Sequence, residues 1–360
     1  MNRRIYLVAA VALVVIAGVA IVVASGTDPS DLSGEKAVTS ADQLPIYDKG
    51  PLPSLDAGKG WLNSAPLTKQ DLAGKVVLYD FWTYSCVNCV RTLPYLESWY
   101  DRYKDDGLVV VGVHSPEFEF EKVHANVAAA VKKLKVGYPV VLDDDMDIWN
   151  SFNNQYWPAK YLTDRKGQLR YVHYGEGGYA ESEAAIRALL GVAKDSPKAT
   201  APGTEEEVGT GTQTPETYLG SERGATASPQ GLSPGTHSYT APKDLGLDHV
   251  ALTGTWVIAP EYIQSTGSDQ TIVLHYQGGE VNLVMDLVHD PVDLLVELDG
   301  KPVPAASRGP STVEVDGRTV AHVTDADLYG LIAHGPAGDH ILTLTPLAAG
   351  LQAYAFTFGT

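Results

Sequence analysis

Residues 76–94 read Val76-Val77-Leu78-Tyr79-Asp80-Phe81-Trp82-Thr83-Tyr84-Ser85-Cys86-Val87-Asn88-Cys89-Val90-Arg91-Thr92-Leu93-Pro94. The stretch up to Trp82 is an apolar run of the kind that forms a buried strand. From Val87 onward the apolar residues Val90, Leu93, Leu96, Trp99, Tyr100 and Tyr103 recur at helical spacing. A strand therefore ends near Trp82 and a helix begins at about Cys86. That places the first cysteine at a helix N-terminus, where unpaired backbone N–H groups and the dipole favour an anion. A thiolate so placed attacks disulfides at neutral pH. Cys89 lies one helical turn on, close enough to form a ring with Cys86 and expel a bound partner. Cys86 is thus the expected nucleophile and Cys89 the resolving thiol. The competing readings are half a zinc site, a structural disulfide and two inert thiols. Zinc would need two further ligands at finger-like spacing, and His114, the next histidine, falls too far away and on another strand.

Around this stretch, strand-like runs alternate with helical periodicity from Trp61 to about Ala193. Leu108–Val113 and Val140–Leu142 read as strands, and 123–134 as a helix. A hairpin joins 159–162 to 169–174 through Asp164-Arg165-Lys166-Gly167, and a helix over 179–190 closes the region. The pattern predicts a mixed sheet covered by helices on both faces. Residues 194–242 are rich in Pro, Gly, Ser and Thr and read as a largely irregular linker. Within them, Pro215-Glu216-Thr217-Tyr218-Leu219 carries two apolar anchors suited to docking on a domain. From 243 to 360, short alternating strands separated by Gly- and Asp-containing turns predict a β-sandwich of jelly-roll type. At the other end, Arg3 and Arg4 precede an apolar stretch over residues 5–24, long enough to cross a bilayer. Residues 1–25 are read as an uncleaved transmembrane signal anchor and 26–44 as its tether, with a cleaved signal peptide as the alternative. Both readings export residues 45–193, the redox domain, and everything after it.

The chain has 360 residues, a formal charge of −18 and two cysteines. The charge argues against nucleic acid or anionic lipid as the main partner. Two cysteines exclude a disulfide scaffold and a four-cysteine metal site, so neither metal nor cofactor is expected.

The motifs carry a resemblance. The segment from Tyr79 to Cys86 resembles a thioredoxin: Asp80 stands six residues before the first cysteine, where thioredoxins keep a buried acid. Pro94 stands eight residues after it, where they keep a helix-kinking proline. Leu72-Ala73-Gly74-Lys75-Val76-Val77 is similar to exported TlpA-like and ResA-like thioredoxins. The sequences around Phe81-Trp82-Thr83-Tyr84, Gly112-Val113-His114-Ser115-Pro116-Glu117-Phe118 and Trp157-Pro158-Ala159-Lys160-Tyr161-Leu162 resemble the C-terminal soluble region of DipZ proteins. So does the ending Ala353-Tyr354-Ala355-Phe356-Thr357-Phe358-Gly359. The resemblance runs from about Leu44 to the end. It implies an α/β thioredoxin-like domain followed by a carbohydrate-binding-module-like β-sandwich, without the CcdA-like membrane domain of DipZ proteins.

By that resemblance Asp80 is the proton shuttle for Cys89, and Pro158 is cis, turning the Trp157 backbone toward the client. Trp82 and Tyr84 shape the rim around the cysteines, with plain packing as the competing reading. Glu117 and His114 are candidates to tune the thiolate, against a loop acid and a structural histidine. Trp256, Tyr262, Tyr276 and Tyr329 are the aromatics able to stack on sugar, against a core role. The expected activity is thiol–disulfide exchange at the outer face of the membrane, reducing disulfides of exported proteins, with a separate membrane electron donor of CcdA/DsbD type. The alternatives are a dithiol oxidase, a thiol peroxidase and a cell-wall carbohydrate-binding protein with an accessory redox domain. The peroxidase reading draws on Thr83, three residues before Cys86, but Tyr79 stands where it needs a proline.

Overall fold

The structure is a computed structural model that describes residues 40–45, 53–193, 195–200, 213–224 and 226–359. The apolar segment read as an anchor lies outside the described residues. Among the described residues no helix is long and apolar enough to cross a membrane. From Ser40 onward the described chain forms one compact unit.

The first half holds a six-stranded sheet. Its elements are β1 (Gly60–Leu62), α1 (Lys69–Leu72), β2 (Val76–Trp82), α2 (Val87–Tyr103), β3 (Leu108–His114), α3 (His124–Lys133), β4 (Val140–Leu142), α4 (Asp147–Ser151), β5 (Ala159–Thr163), β6 (Leu169–Tyr174) and α5 (Tyr179–Leu190). The strand order is β1-β4-β3-β2-β5-β6, with β2, β3 and β4 parallel and the others antiparallel to their neighbours. Every residue of β2 is buried, as a central strand covered on both faces requires. Alternation divides its side chains. Val77, Tyr79 and Phe81 pack with Trp149, Phe152 and Tyr161 on one face. Leu78 and Trp82 pack with Leu93, Leu96, Trp99 and Ile186 of α2 and α5 on the other. Asp80 is in phase with Leu78 and Trp82, so the pleat itself aims a carboxylate at α2. The short helix α4 is capped by Asp143, whose two oxygens accept the N–H groups of Ile148 and Trp149 at 2.8 Å.

The second half is all β. Its strands are β7 (Thr217–Tyr218), β8 (Gly235–Tyr239), β9 (His249–Ile258), β10 (Ile263–Ser265), β11 (Thr271–Gln277), β12 (Glu280–Leu287), β13 (Val292–Leu298), β14 (Lys301–Pro302), β15 (Thr312–Val315), β16 (Arg318–Val323), β17 (Asp327–Ile332), β18 (Asp339–Pro346) and β19 (Leu351–Gly359). The strand pattern predicts a β-sandwich of jelly-roll type. Instead the thirteen strands form one antiparallel sheet around a single apolar core. The join is β9. Its first half pairs with β11 and its second half with β8 and β10. Gly254, at φ +78°, sits at the changeover, where a side chain would press on Gln270 at 2.8 Å. The supposed linker 194–242 also departs from its reading: β7 pairs with β19 and β8 with β9. Backbone pairing to distant strands thus orders 217–218 and 235–239 despite the turn-rich composition around them.

The two halves share a core. Val284, Tyr354 and Ala355 of the β region belong to the apolar cluster under α2. Tyr354 packs against Phe120, Phe118 and Tyr262 at ring distances of 4.9, 5.1 and 5.1 Å. Arg91 is ion-paired with Glu280, and Lys133 with Asp327. Tyr354→Ala is expected to cost about 3 kcal/mol through the cavity it leaves, read as a lower urea midpoint. An unchanged midpoint would mean the shared core does not bear on stability.

Candidate active site

Cys86 is the N-cap of α2, with non-helical backbone (φ −83°, ψ 112°). Its sulfur accepts the Cys89 N–H at 3.3 Å. The thiol therefore sits on the unpaired amide end of a long helix. Both cysteines are free thiols; Cys86 is half-buried and opens on a cavity of about 280 Å³, while Cys89 is fully buried. Burial, and the contact with Cys86, push the Cys89 thiol well above its ordinary value, and the Asp80 charge adds to this. One thiol is presented for attack and its partner is withheld beneath it.

Asp80 lies in that interior as the pleat of β2 dictates. Neither of its oxygens has a hydrogen-bond partner, and burial raises the carboxyl to about 7. Directly across the sheet stands Lys160, paired with Asp80 in the β2–β5 register and itself fully buried. Its Nζ donates to the Gly175 carbonyl at 3.3 Å and lies 5.7 Å from the centre of the Tyr179 ring. Burial lowers its pKa and the Asp80 charge opposes that shift. Sequence reasoning missed this lysine: it falls in the hairpin strand 159–162, where nothing local marks it as buried.

The peptide bond Trp157–Pro158 is cis, as the resemblance implied. Trp157 lines the Cys86 cavity and its indole N–H donates to the Ser115 carbonyl at 3.0 Å. Trp82 and Tyr84 correct the expectation of a rim. Both are buried, Trp82 edge-on to His114 and Tyr84 stacked on it. Both belong to the apolar core beneath α2 rather than to the cavity over Cys86. His114 is likewise buried, its Nε2 3.4 Å from Thr83 Oγ1, and desolvation lowers its pKa to about 3. It is a neutral packing residue rather than a tuning group.

Glu117 does reach the cavity, but its partners come from the β region. Oε1 accepts from Tyr218 Oη and from Arg223, both at 2.8 Å. A second acid, Glu121, holds the loop beneath. It accepts the Ser85 hydroxyl at 2.6 Å and the backbone N–H groups of Glu117 and Phe118 at 2.6 and 3.1 Å. Burial outweighs those bonds and raises it to about 7. Its signal in the sequence was only the alternation Glu117-Phe118-Glu119-Phe120-Glu121. Among the sugar-stacking candidates, Trp256, Tyr276 and Tyr329 are core residues, and Tyr262 packs on Tyr354. Among the described residues no group of His, Cys, Asp and Glu is arranged to hold a metal ion.

A helix-capping cysteine over a buried partner, with an acid behind and a cis-proline loop beside it, defines a thioredoxin-type redox protein. The comparisons agree. Residues 51–189 match the Redoxin family, and residues 214–359 match the family of thioredoxin-like C-terminal domains. The chain is 36% identical over 317 residues to Protein DipZ of Mycobacterium bovis, covering 86% of this chain and 43% of that protein. It is 31% identical over 140 residues to the thiol-disulfide oxidoreductase YkuV of Bacillus subtilis, covering 39% of this chain and 94% of YkuV. A solved thioredoxin-like protein in its oxidised form is 32% identical, with a TM-score of 0.37 over 39% of this chain and 95% of that one. The chain belongs to the thioredoxin-like thiol-disulfide oxidoreductases, and DipZ proteins are its homologues over most of its length, although it spans less than half of theirs.

Proposed function

We propose that this oxidoreductase works as a reductase of disulfides in exported proteins, held at the outer face of the membrane by the apolar segment 5–24. The Cys86 thiolate attacks one sulfur of the client disulfide, and the other sulfur leaves and takes up a proton. Cys89, giving its proton to Asp80, then attacks Cys86 in the mixed disulfide. The second client sulfur is released as a thiol and the Cys86–Cys89 disulfide remains. Two electrons have passed to the client, so a reductant must return them; a membrane donor of CcdA/DsbD type is the one we propose.

The observation that carries the direction is the burial of Cys89 beside the unpartnered Asp80 carboxyl. An oxidant such as DsbA draws its power from a stabilised reduced form. Here burial keeps Cys89 protonated, so this thiol gives the reduced form no thiolate stabilisation of the kind that makes an oxidant. Equilibration with glutathione buffers is expected to give a potential nearer to thioredoxin's, about −270 mV, than to DsbA's, about −120 mV. A value at the DsbA end would replace the reductase reading with that of an oxidase.

A further inference from the structure

The cavity over Cys86 is not walled by the redox domain alone. On one side stand Val87 and Asn88 at the start of α2, with Gln155, Tyr156 and Trp157 before the cis-proline; the facing side is built from the β region by Gln213, Thr214, Glu216, Tyr218, Arg223 and Phe358. This second wall is fixed in place. Thr214 N–H donates to the Gln277 carbonyl at 2.8 Å, and its hydroxyl donates to Asp248 at 2.6 Å. Thr217 and Tyr218 are strand-paired with Phe356 and Ala355 of β19, and the next residue, Leu219, is fully buried. The wall is also tied to the redox domain across the cavity. The Arg223 guanidinium lies 3.4 Å over the Tyr218 ring, and both groups bond Glu117.

We infer that the β region is a structural part of the active site and acts as a selectivity wall. It admits disulfides carried on extended, flexible polypeptide and turns away disulfides that lie flush with a folded surface. The reason is steric. A flat protein surface meets a sulfur through an open face, whereas here the nucleophile lies in a cleft of about 280 Å³ bounded on two sides, near the low end of volumes that hold a small ligand. An extended chain needs only its own width. It finds groups for its backbone and side chains on both walls: the amides of Asn88, Gln155 and Gln213, and the half-exposed ring of Tyr156.

The inference rests on the redox reading of Cys86, and the test separates the two. The full chain, reduced with dithiothreitol, is assayed on three probes: a small aromatic disulfide, a short flexible peptide closed by one disulfide, and a folded β-sandwich protein with a solvent-exposed disulfide across adjacent strands. The peptide is expected to exceed the folded protein in kcat/KM by at least about tenfold, one decade of selectivity. Tyr218→Ala combined with Arg223→Ala, which lowers the wall, should narrow that ratio. Equal rates on peptide and folded protein in the native enzyme would overturn the wall, as would a ratio that the folded double variant leaves unchanged. Failure to reduce even the aromatic disulfide would instead strike the redox reading. A second readout needs no change in the wall: Cys89→Ser traps the peptide on Cys86, and a photoreactive residue beside the peptide cysteine reports its surroundings. Cross-links to both 155–157 and 213–223 are expected; cross-links confined to the redox domain would place the client outside the cleft and overturn the inference.

Discussion

Cys86→Ser is expected to abolish disulfide reduction, by at least about a thousandfold, as removal of an essential nucleophile does elsewhere. Cys89 cannot take over, because it is fully buried and its thiol is pushed well above the ordinary range. The loss would not be one of folding. Cys86 caps α2 through its sulfur, and serine is a better N-cap, so the variant should be as stable as the native protein or slightly more so. The assay is turnover of a peptide disulfide, with a urea midpoint measured in parallel. The complementary Cys89→Ser leaves the attack intact and halts the reaction at the mixed disulfide, visible as a covalent adduct by mass spectrometry. Full turnover by Cys86→Ser would remove this dithiol from the mechanism.

What the sequence discloses and what it hides follow one physical division. The strands β2 and β3 and the helix α2 are long and periodic, so burial writes itself into their composition, and the junction at Cys86 can be read directly. β1 has only three residues and exists through its pairing with β4, so nothing local marks it. α4 is five residues long and depends on the Asp143 cap, hidden in what reads as an acidic loop. The two-residue β7 is ordered by β19 at the far end of the chain; its apolar anchors Tyr218 and Leu219 mark the segment as one that docks, but nothing local says that it docks on β19 and walls the cavity over Cys86. Trp82 and Tyr84 were misread for a related reason. Proximity to a cysteine in sequence suggests a rim, but Trp82 is the last residue of the buried strand β2, and Tyr84, in the turn after it, packs on His114 and Phe120. Lys160 is the sharpest case: a lysine in a hairpin is ordinarily solvated, and only the closure of both sheet faces buries it.

Asp80→Asn is expected to slow the resolving step by about a hundredfold, the scale of losing a positioned base, while sparing the attack by Cys86. Cys89 must give up a proton that burial holds tightly, and Asp80 is the buried acid whose charge acts on it. With its carboxyl raised to about 7, Asp80 is protonated in acid and ionised above neutrality. The native resolving rate should therefore climb through about pH 7, and the asparagine variant should lose that inflection along with most of the rate. Stopped-flow release of client after mixed-disulfide formation measures both. Stability moves the other way. The folded-state pKa lies above the unfolded one, so the contribution of Asp80 is fully favourable below the ordinary carboxylate range and is lost as pH rises through about 7. Asp80→Asn should then be more stable than the native protein at pH 8, with the difference fading toward pH 4. Lys160 sets the balance: its positive charge favours the ionised carboxyl, so Lys160→Met should move the inflection of the resolving rate to higher pH without removing it. An inflection near pH 7 that survives Asp80→Asn would assign the proton to another group, with Glu121 and the cavity-wall residue Glu216, both raised to about 7, the first to examine.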